Sequence, residues 1–336
     1  MASRDQANRI LLPQKISQAE AKVQALRATF KMNPSEYYRH DRVPKSKVAV
    51  NSELEWEEKR LADLKAIRST LEENDKLRGS KPHTPKRGLV YMDDSKKDDR
   101  VKVAISTGDV DHAKHVSTIL PGMNNVPSED IGDHVKNAER VRQHSIRNAK
   151  ISSEQVATIA WMYDTPQGGQ VVSSKYATKA SHEIGSALEG MHASRHTNGI
   201  ERAHTSLLGH SYGSTTAGKV AKMIRKGVLD DLVMYGSPGA GARDTREYNL
   251  DHGRTYVSGI KSDDAVKGKG TLNSKFGNNP MFMPGVKHLA NNSERDRLFF
   301  IPWKMFDRHL EYLEEGTSSL EDISRVVTKV PVKGER

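Results

Sequence analysis

The sequence of 336 residues contains no cysteine. This absence excludes a disulfide framework and any metal site built from thiolates, whereas a zinc site made of histidine and carboxylate ligands stays compatible with the composition. No apolar run approaches the roughly 20 residues that a membrane-spanning helix needs. The length is sufficient for one large α/β domain with an appendage.

We expect no secretory signal sequence, because the segment from Met1 to Asp5 is polar and lacks the apolar core of such a signal. We therefore expect a soluble chain that is cytoplasmic as synthesised. Release from the cell would then require lysis, a specialised route or association with a virion.

The positive charge is concentrated near the N-terminus. The net charge is +10, and residues 1–50 contribute ten basic and four acidic residues, a net of +6. Such a basic arm can bind an acidic protein or an anionic polymer, although a plain solvated surface is the simpler interpretation. A nucleic-acid partner is not predicted, since no long basic run is interleaved with aromatic residues.

The N-terminal segment has helical periodicity. Helices are predicted over 14–31 and 52–77, with a loop over 32–51 between them. The second helix has a partial stripe of leucines, formed by Leu54, Leu61, Leu64 and Leu71. An antiparallel hairpin is expected, and it must bury this stripe either on the main domain, which is the simpler case, or on a partner.

The chain divides by composition into four parts: a basic helical extension over 1–80, a linker over 81–88, a main domain over 89–330 and a tail over 331–336. Within the main domain, apolar segments alternate with helical ones, and a helix is predicted over 175–193. This alternation predicts an α/β fold with a mostly parallel sheet and helices on both faces. The predicted strands are Leu89–Met92, Val101–Ile105, Val116–Leu120, Val156–Met162, Leu232–Tyr235 and Thr255–Ser258.

The segment Gly209–Gly213 reads Gly-His-Ser-Tyr-Gly. An apolar strand-like run precedes it, and a proline-free helical run over Thr215–Lys226 follows it. Strand, sharp turn and helix form the context of a nucleophile elbow, in which glycines permit the tight turn around the serine. Ser211 is therefore the predicted nucleophile, with a simple strand-to-helix turn as the alternative.

A serine nucleophile needs a base and an acid, which follow the elbow in this order: serine, carboxylate, histidine. Asp264 lies just beyond the strand that ends at Ser258 and is the predicted acid, with Asp263 as the alternative. His309 is the predicted base. His288, in a loop rich in Met, Pro and Gly, is the alternative base or part of a lid.

The oxyanion hole needs two backbone donors. One is the N–H of Tyr212, and the other is the N–H of Gly122 or Met123 in the loop after an early strand. Ser237 and Pro238 are predicted to border the substrate pocket. Four apolar residues were further candidates for an acyl pocket or for core packing: Met281, Phe282, Met283 and Leu289.

Two glycine-rich segments resemble nucleotide-binding loops. Gly213–Lys219 matches G-x-x-x-x-G-K, but the next residue is Val220, which cannot bind Mg²⁺. Gly236–Gly241 follows a strand, but Pro238 is incompatible with a dinucleotide fingerprint. We therefore predict no organic cofactor and no metal.

The main domain contains a set of short motifs: Gly108–Val116 before Pro121-Gly122, Trp161–Pro166, Gly209–Ser214, Gly236–Gly239, Asp264–Val266 and His309–Leu313 with Ser318–Leu320. Taken together, these motifs resemble the uncharacterised α/β-hydrolase family that is widespread in actinobacteria and their phages. Cutinase-like and lipase-like enzymes are more distant relatives. The resemblance spans about residues 88–328 and implies an α/β-hydrolase fold with Ser211, Asp264 and His309 as catalytic triad, but no substrate.

The expected activity is that of a serine hydrolase, esterase-like or lipase-like, acting through an acyl-enzyme on a lipid or cell-envelope ester. A peptidase or a transacylase could use the same triad. An alternative of another class is a catalytically silent hydrolase scaffold that serves as a structural or virion-associated binding protein.

Overall fold

The computed structural model describes residues 2–31, 45–259, 274–290 and 307–332. In this part of the chain, no helix is both long enough and apolar enough to cross a membrane. The helices are α1 Ala2–Lys31, α2 Lys45–Ser80, α3 Pro127–Ala149, α4 Lys175–Thr197, α5 Tyr212–Met223 and α6 Ser318–Val327. The strands are β1 Arg87–Asp93, β2 Lys102–Thr107, β3 His115–Leu120, β4 Val156–Met162, β5 His204–His210, β6 Asp231–Tyr235, β7 Thr255–Ser258 and β8 Lys287–His288.

The eight strands form one sheet in the order β1-β2-β4-β3-β5-β6-β7-β8. Strand β2 is antiparallel to both of its neighbours, and all other pairs are parallel. From β3 the chain crosses to β4 on one side, and β5 then pairs on the other side. Ligands of open α/β sheets bind where the strand order reverses, at the carboxyl ends of the strands. This topology directs attention to the ends of β3 and β5.

Helices cover both faces of the sheet, as the sequence predicted. Because side chains alternate along a strand, Leu207 and Leu208 of β5 enter opposite clusters. Leu207 packs in the cluster that holds α4 and α5, whereas Leu208 packs in the cluster that holds α3 and α6. The α/β fold with a mostly parallel sheet is confirmed.

The N-terminal helices are longer than the sequence predicted. Helix α1 begins at Ala2 rather than at residue 14 and contains Pro13, and α2 spans Lys45–Ser80 rather than 52–77. The early turns of α1 are stabilised by tertiary contacts, since Leu12 is buried and Asp5 binds the sheet. Such contacts override the helix-breaking tendency of a single proline.

The hairpin of α1 and α2 buries its apolar stripe on the sheet of the same chain. The helices run antiparallel, because ion pairs join Arg9 to Asp75, Glu20 to Lys65 and Arg27 to Glu58. The hairpin therefore shares a core with the sheet, and the division of the chain at residue 80 stays a prediction. Buried members of this shared cluster are Leu12, Ile16, Ala19, Leu64, Ile67, Leu71, Leu89, Val103 and Ile105.

Two buried carboxylates anchor the hairpin. Asp63 of α2 accepts hydrogen bonds from the backbone N–H groups of Val101 (3.1 Å) and Ser128 (2.9 Å) and from Nε of Arg100 (2.9 Å). Asp5 of α1 accepts from the N–H of Leu89 at 2.8 Å. Burial alone would raise the pKa of Asp5, but its hydrogen bonds outweigh burial and hold this pKa below its ordinary value.

Replacing Leu64 by alanine should lower the free energy of unfolding by about 2–5 kcal/mol, because the fully buried side chain would leave a cavity between α2 and the sheet. The matched variant Leu77→Ala, at an exposed position of the same helix, should change it by less than about 0.5 kcal/mol. Urea unfolding followed by circular dichroism measures both. If Leu64→Ala changes the free energy of unfolding as little as Leu77→Ala does, the hairpin and the sheet do not share a core.

Candidate active site

Ser211 lies in the turn between the last residue of β5 and the first residue of α5. Its backbone angles are φ 50° and ψ −124°, and such a conformation costs a residue with a side chain on the order of 1–3 kcal/mol. The turn is held by hydrogen bonds from the Ser211 N–H to the Tyr235 carbonyl and from the Ser214 N–H to the Ser211 carbonyl, both 2.9 Å long. This strained strand–turn–helix geometry is the one that the G-x-S-x-G pattern predicts.

The two glycines of the turn allow its backbone to approach other backbone segments. A Cβ atom on Gly209 would lie 2.6 Å from the Gly213 carbonyl oxygen. A Cβ atom on Gly213 would lie 2.5 Å from the Pro121 carbonyl oxygen. Since both obstacles are backbone atoms, a larger residue at either position would force the turn apart.

The loop after β3 lies directly against the serine. A Cβ atom on Gly122 would lie 3.0 Å from Cβ and 3.5 Å from Oγ of Ser211. The loop is fixed by bonds from the Asn124 N–H to the Pro166 carbonyl (3.0 Å) and from the Tyr163 hydroxyl to the Pro121 carbonyl (3.3 Å). The structure thus brings Gly122 beside Ser211, as the sequence predicted, and Met123 follows at a partly exposed position.

The side chain of Tyr212 fixes the start of α5. Its buried hydroxyl donates to the Ser173 carbonyl (2.6 Å) and accepts from the Ala177 N–H (3.2 Å). Burial raises the pKa of this phenol to about 12, so it stays a neutral donor. This link between the serine turn and the start of α4 had no signal in the sequence.

His309 lies over the carboxyl end of β6. A Cβ atom on Gly236, the first residue after β6, would lie 3.0 Å from Cε1 of His309. Because β6 is the neighbour of β5, the sheet brings His309 and Ser211 to the same edge. His288, by contrast, lies in β8 and pairs with Val257, so it is part of the sheet, and its role as alternative base or in a lid stays a prediction.

His210 connects the serine turn to the segment of His309. Its Nε2 lies 2.7 Å from the His309 carbonyl oxygen, and since a carbonyl only accepts, Nε2 carries the donated proton. The His210 ring also lies 4.6 Å from the His309 ring and stacks on Tyr235 at 5.1 Å.

The predicted acid, Asp264, and its alternative, Asp263, lie outside the described residues. The described end of β7 is nevertheless close to His309, because the Ser258 carbonyl accepts from the Gly236 N–H at 3.1 Å. Gly236 in turn contacts the His309 ring. The chain therefore continues from the end of β7 at a point close to Gly236, the residue next to the His309 ring.

The two residues predicted to border the substrate pocket, Ser237 and Pro238, are at least partly buried. Ser237 is buried, and its hydroxyl lies 3.2 Å from both the N–H and the carbonyl of Gly239. Pro238 is half-buried beside it. Ser237 therefore shapes the loop, and direct contact of its side chain with substrate is not favoured.

The four apolar candidates for an acyl pocket do not line one surface. Phe282 is 78% exposed, whereas Met283 and Leu289 are buried in the clusters on opposite faces of the sheet. For the buried residues, the alternative of core packing is correct.

The motif Gly213–Lys219 lies entirely within α5, so its backbone is helical and does not form a phosphate-binding loop. Within the described ranges, no three His, Asp or Glu residues are grouped as a metal site would require.

Comparison with known proteins identifies the family. The model of an alpha/beta hydrolase family matches residues 96–274. The chain belongs to this family. The resemblance to an uncharacterised α/β-hydrolase family is thereby confirmed, while its link to phages stays a prediction.

Sequence relatives of this hydrolase occur in mycobacteria. An uncharacterised protein of Mycobacterium bovis is 29% identical over 242 residues, which cover 70% of this chain and 84% of the relative. An uncharacterised protein of Mycobacterium tuberculosis has the same identity and coverage. Among solved structures, a Trichoderma reesei cutinase in complex with a phosphonate inhibitor shares 12% identity at a TM-score of 0.38, covering 80% of this chain and 87% of the cutinase.

Proposed function

We propose that this hydrolase is a serine esterase that works through an acyl-enzyme. The observation that carries the proposal is the strained turn at Ser211, which lies against Gly122 and shares the sheet edge with His309. In a nucleophile elbow, the strained backbone exposes the serine hydroxyl at the end of the strand, and a helix begins directly after the serine. The positive end of the α5 dipole then favours the developing negative charge.

In the first half of the reaction, Ser211 Oγ attacks the ester carbonyl and His309 accepts the serine proton. The backbone N–H groups of Tyr212 and of Met123 or Gly122 donate to the oxyanion. The carbon–oxygen bond to the alcohol breaks, and His309 returns the proton to the leaving alkoxide. The acyl group stays on Ser211.

In the second half, His309 takes a proton from water, whose oxygen attacks the acyl carbonyl. The serine leaves, regains the proton and releases the acid. Asp264 orients His309 and stabilises its charged form, with Asp263 as the alternative. Hydrolysis of a lipid or envelope ester fits this chemistry, and the ester preference rests on fold-level analogy alone.

The proposal favours an enzyme over a silent scaffold. A scaffold anchored by the N-terminal hairpin would present its apolar stripe to a partner, whereas Leu64, Ile67 and Leu71 are buried within the chain. Cytoplasmic location and a protein or anionic-polymer partner for the basic segment remain separate proposals.

A fluorophosphonate probe should label the wild type once and should not label Ser211→Ala, because only a serine activated by a base attacks phosphorus. Intact-mass spectrometry reports the adduct. Ser194→Ala, at an exposed serine of α4, is the matched control and should be labelled like the wild type. An unlabelled wild type, or a labelled Ser211→Ala, would contradict the assignment.

Asp264→Asn should lower kcat for a soluble ester by on the order of 10³- to 10⁴-fold, because an amide cannot hold the histidine in the reactive tautomer. Asp263→Asn should lower kcat far less. Steady-state kinetics on both variants ranks the two carboxylates, and the opposite ranking would transfer the acid role to Asp263.

His210→Leu should lower kcat by about tenfold, because the His309 carbonyl would lose a half-buried hydrogen-bond donor that holds its segment in place. His210→Gln keeps an N–H donor and should recover most of the loss. Parallel kinetics and melting curves test this. If both variants lose the same activity, the hydrogen bond does not position His309.

A further inference from the structure

A groove of about 340 Å³ opens next to the serine turn, between the flank of α3 and the turn that contains His309. We call it the α3 groove. Its described lining is Pro121, Asn125, Asp130, Asp133, His134, Lys136, Asn137, Arg140, His210, Tyr235, Leu310, Leu313 and Glu314. The volume lies in the lower part of the range of about 300–1,000 Å³ that small-ligand sites occupy.

The α3 groove borders the serine turn. Its wall includes Pro121 and His210, which flank Gly122 and Ser211 in the chain. The Cβ position of Gly122 is 3.5 Å from both Ser211 Oγ and Nδ1 of His210. A substrate whose carbonyl lies at Ser211 can therefore extend past His210 into the groove.

The lining is too polar for an acyl chain. Nine of the thirteen lining residues carry polar or charged side chains, and an alkyl chain would remove them from water without offering hydrogen bonds. Within the lining, the half-buried imidazole of His210 stacks on the buried ring of Tyr235. Hydrogen-bonding groups beside an aromatic surface suit a ligand with both hydroxyl groups and apolar C–H faces.

Both cationic side chains of the groove are paired within it. Lys136 pairs with Asp133 at 2.9 Å, and Arg140 pairs with Glu314 at 3.5 Å. Asp130 accepts the Val126 N–H at 2.7 Å. An anionic ligand would have to break one of these ion pairs, whereas a neutral ligand would not. The carbonyl of Asn137 accepts from Arg140 at 2.8 Å, which still allows its NH₂ group to donate to a ligand.

We propose that the α3 groove binds the neutral, hydroxyl-rich alcohol part of the substrate, so that the enzyme hydrolyses esters of a sugar or another polyol. The proposal rests on the serine-esterase function proposed above. Asn137 and His210 would then determine specificity for the alcohol.

Two acetate esters with six-membered rings test the specificity: an acetyl ester of methyl glucoside and cyclohexylmethyl acetate. The wild type should prefer the sugar ester by at least about tenfold in kcat/KM. Asn137→Leu should raise KM for the sugar ester by about three- to tenfold, as expected for one lost hydrogen bond, and should raise KM for the cyclohexylmethyl ester less. Asn198→Leu, on an exposed asparagine beyond α4, is the matched control and should leave the preference unchanged.

Binding can also be measured without turnover. Saturation-transfer NMR on Ser211→Ala should detect methyl glucoside, and Asn137→Leu in the same background should weaken the apparent affinity by about three- to tenfold, as for the loss of one hydrogen bond. A preference for the cyclohexylmethyl ester, or sugar binding that is insensitive to Asn137, would overturn the sugar-ester proposal even if the fluorophosphonate labels Ser211. Absence of labelling together with Asn137-dependent sugar binding would instead overturn the esterase function and keep the binding site.

Discussion

The close backbone contact between the turn at Ser211 and the loop after β3 is the constraint on which the rest of the site depends. Ser211 adopts φ 50° only because neighbouring segments hold it, through the Tyr235 carbonyl on one side and the Pro121 carbonyl against Gly213 on the other. The conformation costs on the order of 1–3 kcal/mol, which the surrounding sheet must offset. In the proposed reaction, a serine held in this way needs no rearrangement when substrate binds, because its strain is already offset in the folded state.

The sheet can offset that cost because both of its faces are covered. Helices α4 and α5 cover one face, and α3, α6 and the N-terminal hairpin cover the other. Without the hairpin, Leu89, Val103 and Ile105 would lose part of their cover at the edge where β2 runs antiparallel. The helical extension that the sequence suggested as an appendage is thus part of the core. Buried Asp63 links it by hydrogen bonds to the backbone at the starts of β2 and α3.

Local signals explain how much of this structure the sequence could predict. Gly209 and Gly213 around a serine, after an apolar strand, sufficed for the turn, and apolar runs sufficed for seven of the eight strands. Helix α3 was not predicted, although Ile131, Val135, Ala138 and Val141 follow helical spacing, because polar residues dominate the segment. Strand β8 has two residues and exists only through its pairing with β7. The contact of His309 with Gly236 and its hydrogen bond from His210 join distant parts of the chain, and no local pattern encodes them.

A buried polar cluster at the amino ends of the strands helps the sheet to hold the strained turn at Ser211. At the amino ends of β5, β6 and β7, buried Asp231 lies 2.7 Å from Nε2 of His204 and 2.9 Å from Nε of Arg254. Burial lowers the pKa of His204 and raises the pKa of Asp231, and the Arg254 guanidinium lies within hydrogen-bond distance of both side chains. Separating these three side chains would leave buried polar groups without partners, so the cluster opposes a shift in the register of these strands. Because the strands are paired along their length, fixing their register at the amino ends also fixes the positions of their carboxyl ends. At the carboxyl ends, the proposed chemistry requires Ser211 and His309 to come within hydrogen-bond distance of each other.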